Sequence, residues 1–270
     1  MMLKNLMVHL DQSERCAARL ALAVSLAKKH QARLFGVFAQ RGLPRQVGVV
    51  ATWPSQQYID ARTASKAAFE SAAAALPQSE WHDINRGSDG EILHHVTQLA
   101  RHADLVVLGQ HDDRGKAYVP EELVDEVILD AGCPVLVLPY AGQFTTVGSR
   151  PLIAWNDARQ AAHALLDALP LILDCELATV VTFDARQEEA ETSCSEVARH
   201  LACHGIKSKS EVILVKDIGI MDMLLNRVTD RGADLLVMGA HGHIGFPFYS
   251  RGAGTRYILK HMTVPVLMSN

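Results

Sequence analysis

The sequence predicts an α/β protein built as two tandem doubly wound sheets, each with five parallel strands and helices on both faces. Three observations lead there: the chain repeats itself, several of its strand candidates are continuous apolar runs, and each strand alternates with a helical stretch. Ala103-Asp-Leu-Val-Val-Leu-Gly109 recurs as Ala233-Asp-Leu-Leu-Val-Met-Gly239. Cys133-Pro-Val-Leu-Val-Leu-Pro139 recurs as Val264-Pro-Val-Leu-Met-Ser-Asn270, in register with the first match. Uninterrupted runs such as Leu-Val-Val-Leu suit strands buried on both faces, as in a parallel sheet covered by helices.

The elements follow in order. In the first copy, strands are expected at Leu3–Leu10, Arg33–Phe38, Glu80–Asn85, Leu105–Gly109 and Val135–Pro139. Helical stretches fall between them at Ser13–His30, Ser55–Leu76, Asp89–His102 and Glu121–Ala131. The second copy repeats the plan with strands at Leu152–Trp155, Leu177–Phe183, Lys209–Leu214, Leu235–Gly239 and Val264–Met268. Its helices are expected at Ala158–Asp174, Glu188–His204, Ile218–Arg231 and Ala253–His261. The stretch Ala141–Arg150, with two glycines and small polar residues, reads as the linker, giving domains at 1–142 and 150–270. The long connection Ala39–Pro54, which holds Trp53, reads equally as a flap over the ligand edge or a solvated loop.

Composition narrows the function classes. With 49% hydrophobic and 21% charged residues the chain is too apolar for disorder, and no run approaches the ~18 apolar residues of a bilayer span. A formal net charge of −4 gives no global attraction to nucleic acid. Met1–Asp11 has no basic region followed by an apolar core and cleavage site, so a cytoplasmic location is expected. Five cysteines without CxxC spacing fit reduced thiols in that compartment.

Ligands of doubly wound sheets sit at the carboxyl ends of the strands, near the point where strand order reverses. Those ends are Asp11, Gly109, Asn156 and Gly239. After the fourth strand of the second copy runs Gly239-Ala-His241-Gly242, then His243 and a further eight residues, then Gly252-Ala253-Gly254-Thr255 at the start of a helix. Glycines let backbone amides approach a ligand, and a helix N-terminus attracts anions. From Leu235 onward there is no Asp or Glu, while Arg251, Arg256 and Lys260 lie in or just after the loop. The plain alternative is a glycine-rich connection that only turns the chain. The first copy differs: Gly109-Gln-His-Asp112 lacks the second glycine, and acids crowd the residues that follow. A phosphate there would meet like charge, so the first copy is expected not to bind one.

These residues resemble the universal stress protein family, whose nucleotide loop reads G-x2-G-x9-G-[S/T] after the fourth strand. Gly239, Gly242 and Gly252 match that spacing, and the tail from Arg256 to the final Val-Pro-Val-Leu resembles the family's last helix and strand. The first copy is similar at its start, Val8-His-Leu-Asp11-Gln-Ser13, and at its end, Cys133-Pro-Val-Leu-Val. The resemblance implies a tandem two-domain member with the adenine nucleotide α-hydrolase-like fold. It also implies binding of ATP or another adenine nucleotide, with an acid after the first strand on the nucleoside and the glycine loop on the phosphates. Carried over to the second copy, Asn156 would face the nucleoside; Gly239, His241, Gly242, His243, Gly252, Ala253, Gly254 and Thr255 would surround the phosphates. Two departures stand out: Asn156 replaces the acid, and Ala253 replaces the hydroxyl residue after the last glycine. The family's pairing through the fifth strand implies an intramolecular pairing of the two domains, with homodimerisation left open.

Thirteen histidines invite a metal reading at His94, His95 and His102 or at His241 and His243, but their spacing defines no closed site, and no metal is expected. Walker A, G-x-S-x-G and HExxH motifs are absent from the sequence, so at most a slow ATPase is expected. Asp104 and Asp234, just ahead of buried strands, are expected to cap or turn the chain. Two readings of function remain: a stress-response regulatory protein that binds an adenine nucleotide, and a nucleotide-independent scaffold.

Overall fold

The computed structural model describes residues 3–42, 45–47, 50–52, 54–84, 87–112, 118–184, 186–215, 219–242 and 252–270. The chain divides into two compact units, one ending at Val135 and the other starting at Leu136.

In the first unit the strands are β1 (Asn5–Leu10), β2 (Arg33–Phe38), β5 (Ser79–Asp83) and β6 (Leu105–Gly109), hydrogen-bonded in the order β5-β2-β1-β6, with polar β5 at the edge. All their pairings are parallel; Leu6 of β1 lies between Leu34 of β2 and Leu105 of β6, all three fully enclosed. Each such aliphatic side chain contributes about 1.5–3 kcal/mol by leaving water. Helix α1 (Cys16–His30) packs on β1, β2 and β6, and α2 (Gln56–Ala73) on β2 and β5. Helices α3 (Asp89–Ala100) and α4 (Leu123–Asp130) contact each other as a separate pair. Right-handed crossovers put such pairs on opposite faces of the sheet. Strand β7 (Val135–Leu138) lies where the units divide.

The second unit repeats the order with β8 (Pro151–Trp155), β9 (Ala178–Asp184), β10 (Ser208–Leu214), β11 (Leu235–Gly239) and β12 (Val266–Ser269), arranged β10-β9-β8-β11-β12 and parallel. Helix α5 (Arg159–Ile172) covers β8, β11 and β12, and α6 (Gln187–Cys203) covers β9 and β10. Helices α7 (Ile220–Asp230) and α8 (Ala253–His261) pack together. Strand order reverses beside β1 in one unit and beside β8 in the other, so the crevices open between β1 and β6 and between β8 and β11.

Boundaries follow local chemistry. Helix α1 starts at Cys16 rather than Ser13, because residues 13–16 form a turn in which the Cys16 amide donates to Ser13 O at 3.0 Å. Helix α2 starts after Ser55, whose hydroxyl accepts from the Tyr58 amide at 3.3 Å. Helix α3 opens with a reciprocal capping box between Ser88 and Glu91. The connection expected to be a flap or loop carries an antiparallel hairpin, β3 (Arg45–Val47) with β4 (Val50–Thr52), and Trp53 lies outside the described residues.

Asp104 and Asp234 do the same job in the two copies. The Asp104 carboxylate accepts from the amides of Lys4 and Asn5 at 2.6 and 2.9 Å, fixing the start of β1. The Asp234 carboxylate accepts from the amides of Ser149 and Arg150, both at 2.8 Å, fixing the start of β8. Charge-assisted bonds of this kind are the strong ones, and here they pin the amino edge of each sheet.

Candidate functional site

The second crevice is bounded on one side by Asn156, where β8 ends. Asn156 is exposed, and its Oδ1 accepts from the Ala158 amide at 3.3 Å, closing a turn into α5. Asp157 takes a left-handed φ of 56° and accepts from Ser193 Oγ at 2.6 Å; Ser193 in turn accepts from Trp155 Nε1 at 2.7 Å. Trp155, Asp157 and Ser193 line an open cleft of about 520 Å³, whose other wall is Glu188, Glu189, Thr192 and Glu196 on α6. Apart from Asp157, the acid one residue beyond Asn156, none of these cleft residues stood out in the sequence. Their signal was the side-by-side placement of a strand-end tryptophan and an acid-rich first turn of helix, which becomes meaningful only once β8 and α6 are neighbours.

On the other side β11 ends at Gly239, which pairs with Ser269, and the Ala240 amide donates to Ser269 O at 2.8 Å. A Cβ at Gly239 would sit 2.6 Å from the backbone of Gln160 and Ala161, so only glycine lets the start of α5 approach this closely. His241 follows in a left-handed conformation, φ 52°, and is buried. Its amide donates to Thr255 Oγ1 at 2.8 Å. Thr255 itself is buried in the first turn of α8. The hydroxyl nearest the last glycine is therefore turned inward and holds the two ends of the loop together.

Gly252 caps α8 at φ 83°, and a Cβ there would lie 2.6 Å from Nδ1 of His241. Gly254 is buried beside Thr255, and Ala253 is half-buried. The first-turn amides of α8 have no partners inside the helix, and no acid sits in that turn. Gly242 is roomier: a Cβ would stand 3.4 Å from Gln160 Oε1, and its φ lies outside the left-handed region. The structure thus brings Gly239, His241, Gly242, Gly252, Ala253, Gly254 and Thr255 into one loop-and-helix unit, while Asn156 ends the neighbouring strand across the reversal point. His243 and Arg251 lie outside the described residues.

The first crevice is built differently. Asp11, the acid that follows β1, is almost fully enclosed, and Arg19 Nη2 stands 3.0 Å from its Oδ2. Arg19 Nε donates to His9 O at 2.7 Å, and a Cβ at Gly109 would run into Arg19 Nη1. The Ser13 amide donates to Asp11 Oδ1 at 2.8 Å. Burial alone would raise the Asp11 carboxyl, but Arg19, with His9 and Ser13, pulls it down to about 2. Burial lowers His9 to about 4, which keeps the imidazole neutral while its Nε2 lies 2.7 Å from Ala39 O. Sequence reasoning missed Arg19, although a charge on the buried stripe of α1, among Leu20, Ala23 and Leu26, was the signal.

Among the described residues no group of three or more His, Cys, Asp or Glu side chains could hold a metal ion. Among the same residues no helix is long and apolar enough to cross a membrane.

Comparison with known proteins bears on both crevices. The universal stress protein family matches the chain twice, over residues 2–139 and 154–270. No curated protein sequence matches it. Among solved structures, a universal stress protein from Archaeoglobus fulgidus DSM 4304 superposes with a TM-score of 0.70 at 14% identity, covering 98% of each chain. A functionally unknown protein from Pseudomonas aeruginosa PAO1 superposes with a TM-score of 0.62 at 14% identity, covering 99% of this chain and 92% of that one. At such identities the likeness concerns the fold.

Proposed function

The chain belongs to the universal stress protein family, and from that premise we propose that its second domain binds ATP or a related adenine nucleotide as part of a stress-response regulatory protein. The observation that carries this reading is the loop from Gly239 to the start of α8. There, left-handed His241 and Gly252 meet at a helix N-terminus in a segment that holds no carboxylate from Leu235 onward. The phosphates would meet the first-turn amides around Gly252, Ala253 and Gly254, which have no partners inside the helix, with Gly239, Gly242, His241 and His243 beside them. Thr255 would hold the loop in shape through the His241 amide. Asn156 would face the nucleoside, accepting and donating hydrogen bonds without charge. The first domain would serve as a structural partner, with the fifth strands Val135–Leu138 and Val264–Met268 pairing the domains as the family's pairing implies. A cytoplasmic location and a possible homodimer belong to the same proposal.

Isothermal titration of ATP into the wild type and Gly242→Asp tests it. A Cβ at Gly242 would stand 3.4 Å from Gln160 Oε1, and the backbone there is not left-handed, so the variant introduces its charge without forcing a strained φ. It also installs the residue type that the first copy has at Asp112. Binding should weaken by roughly tenfold or more. Equal binding by both proteins, or none by either, overturns the assignment.

A second reading, the nucleotide-independent scaffold, is favoured by one feature: the strand-end acid is replaced by Asn156, and the neighbouring cleft is walled by Asp157, Glu188, Glu189 and Glu196. Native mass spectrometry separates the two, because co-purifying nucleotide would contradict the scaffold.

A further inference from the structure

The two copies fill the point of strand reversal by different means. In the second, the backbone of α5 closes against Gly239, and α5 buries only apolar side chains there, among them Ala161, Ala164 and Leu165. In the first, a side chain does it. Arg19 is 3% exposed and reaches from α1 across the ends of β1 and β6. Its Nε donates to His9 O at 2.7 Å, its Nη2 stands 3.0 Å from Asp11 Oδ2, and its Nη1 lies against Gly109. A planar guanidinium that donates to a carbonyl and stands in ion-pair reach of a buried carboxylate has the surroundings in which a protein holds an arginine-like ligand.

We propose that the first crevice is a guanidinium site occupied by the chain itself: Arg19 is its ligand, Asp11 the counterion, and Gly109 the floor that makes room for it. The charges close locally. His9 is held neutral, and burial raises the Cys16 thiol, leaving one cation against one anion. Asp11, which resembles the nucleoside-binding acid of the family, is thereby committed to an internal partner. This inference concerns the first domain and does not rest on nucleotide binding by the second.

Chemical rescue tests it. Arg19→Ala leaves a guanidinium-sized space facing an uncompensated buried carboxylate, and breaking such a pair should lower the melting temperature of the first domain by roughly 10 °C. Methylguanidinium at millimolar concentration should recover part of that loss in the variant and leave the wild type unchanged. Methylurea, of the same shape but uncharged, should not. Equal responses to the two compounds, or no response in the folded variant, overturn the proposal. Arg19→Met combined with Asp11→Asn gives an independent readout should Arg19→Ala fail to fold. The double variant should lose clearly less than the sum of the single losses, and additive losses would also overturn the assignment.

Discussion

Acid should unfold the first domain from the inside, beginning at His9. The imidazole is 2% exposed, and burial lowers it from its ordinary 6.5 to about 4. Between those values the unfolded chain takes up a proton that the folded one refuses. The stabilisation is therefore complete above pH 6.5 and is lost as pH falls towards 4. A gap of that size, at 1.36 kcal/mol per pH unit, amounts to about 3 kcal/mol, a large share of the 5–15 kcal/mol that holds a domain folded. Asp11 continues the loss below pH 4, because its carboxyl is held down to about 2 and must be protonated against Arg19. The second domain has Ala154 and Asn156 at the matching places, and burial of Asp167 raises that carboxyl, so its own trend runs the other way. Urea titrations at pH 7, 6 and 5, read by hydrogen exchange at β1 and β2 against β8 and β9, measure this directly. His9→Asn should be less stable at pH 7 and should have a flatter slope between pH 6.5 and 4. An unchanged slope in that variant, or parallel losses in both domains, would refute the reasoning.

Two further expectations concern the glycine loop and a helix cap. Gly252→Ala forces an L side chain into φ 83° and against His241 Nδ1, and should cost about 1–2 kcal/mol in the second domain along with any nucleotide binding, as melting and titration would show. Ser88→Ala removes the hydroxyl that caps α3 and should cost about 1 kcal/mol in urea unfolding of the first domain, with the second unaffected.

The sheet was legible because its central strands are apolar on both faces and its repeat keeps them in step; Leu105–Gly109 and Leu235–Gly239 fall where the runs place them. The hairpin of β3 and β4 was not, since three-residue strands are too short for an alternating period to show. In the glycine loop, Gly252 could be read from spacing, because only glycine takes φ 83° without strain. The bond between Thr255 and the His241 amide could not, because it joins groups fourteen positions apart through a turn that spacing does not describe. Arg19 was visible as a charge in an apolar stripe, yet its partners come from β1 and β6 and meet it only after the strands pair.

The twin carboxylates Asp104 and Asp234 carry a consequence for engineering. Each staples the amino edge of its sheet by accepting hydrogen bonds from two backbone amides, at the end opposite the crevice. Whatever separated the copies acted at the carboxyl edge and left this staple intact in both. For design purposes the two edges divide into a foundation, pinned by these carboxylates, and a rim that carries the crevice. Grafting the loop 239–255 onto the end of β6, together with removal of Arg19, should give the first copy the rim of the second while leaving the staple at Asp104 untouched.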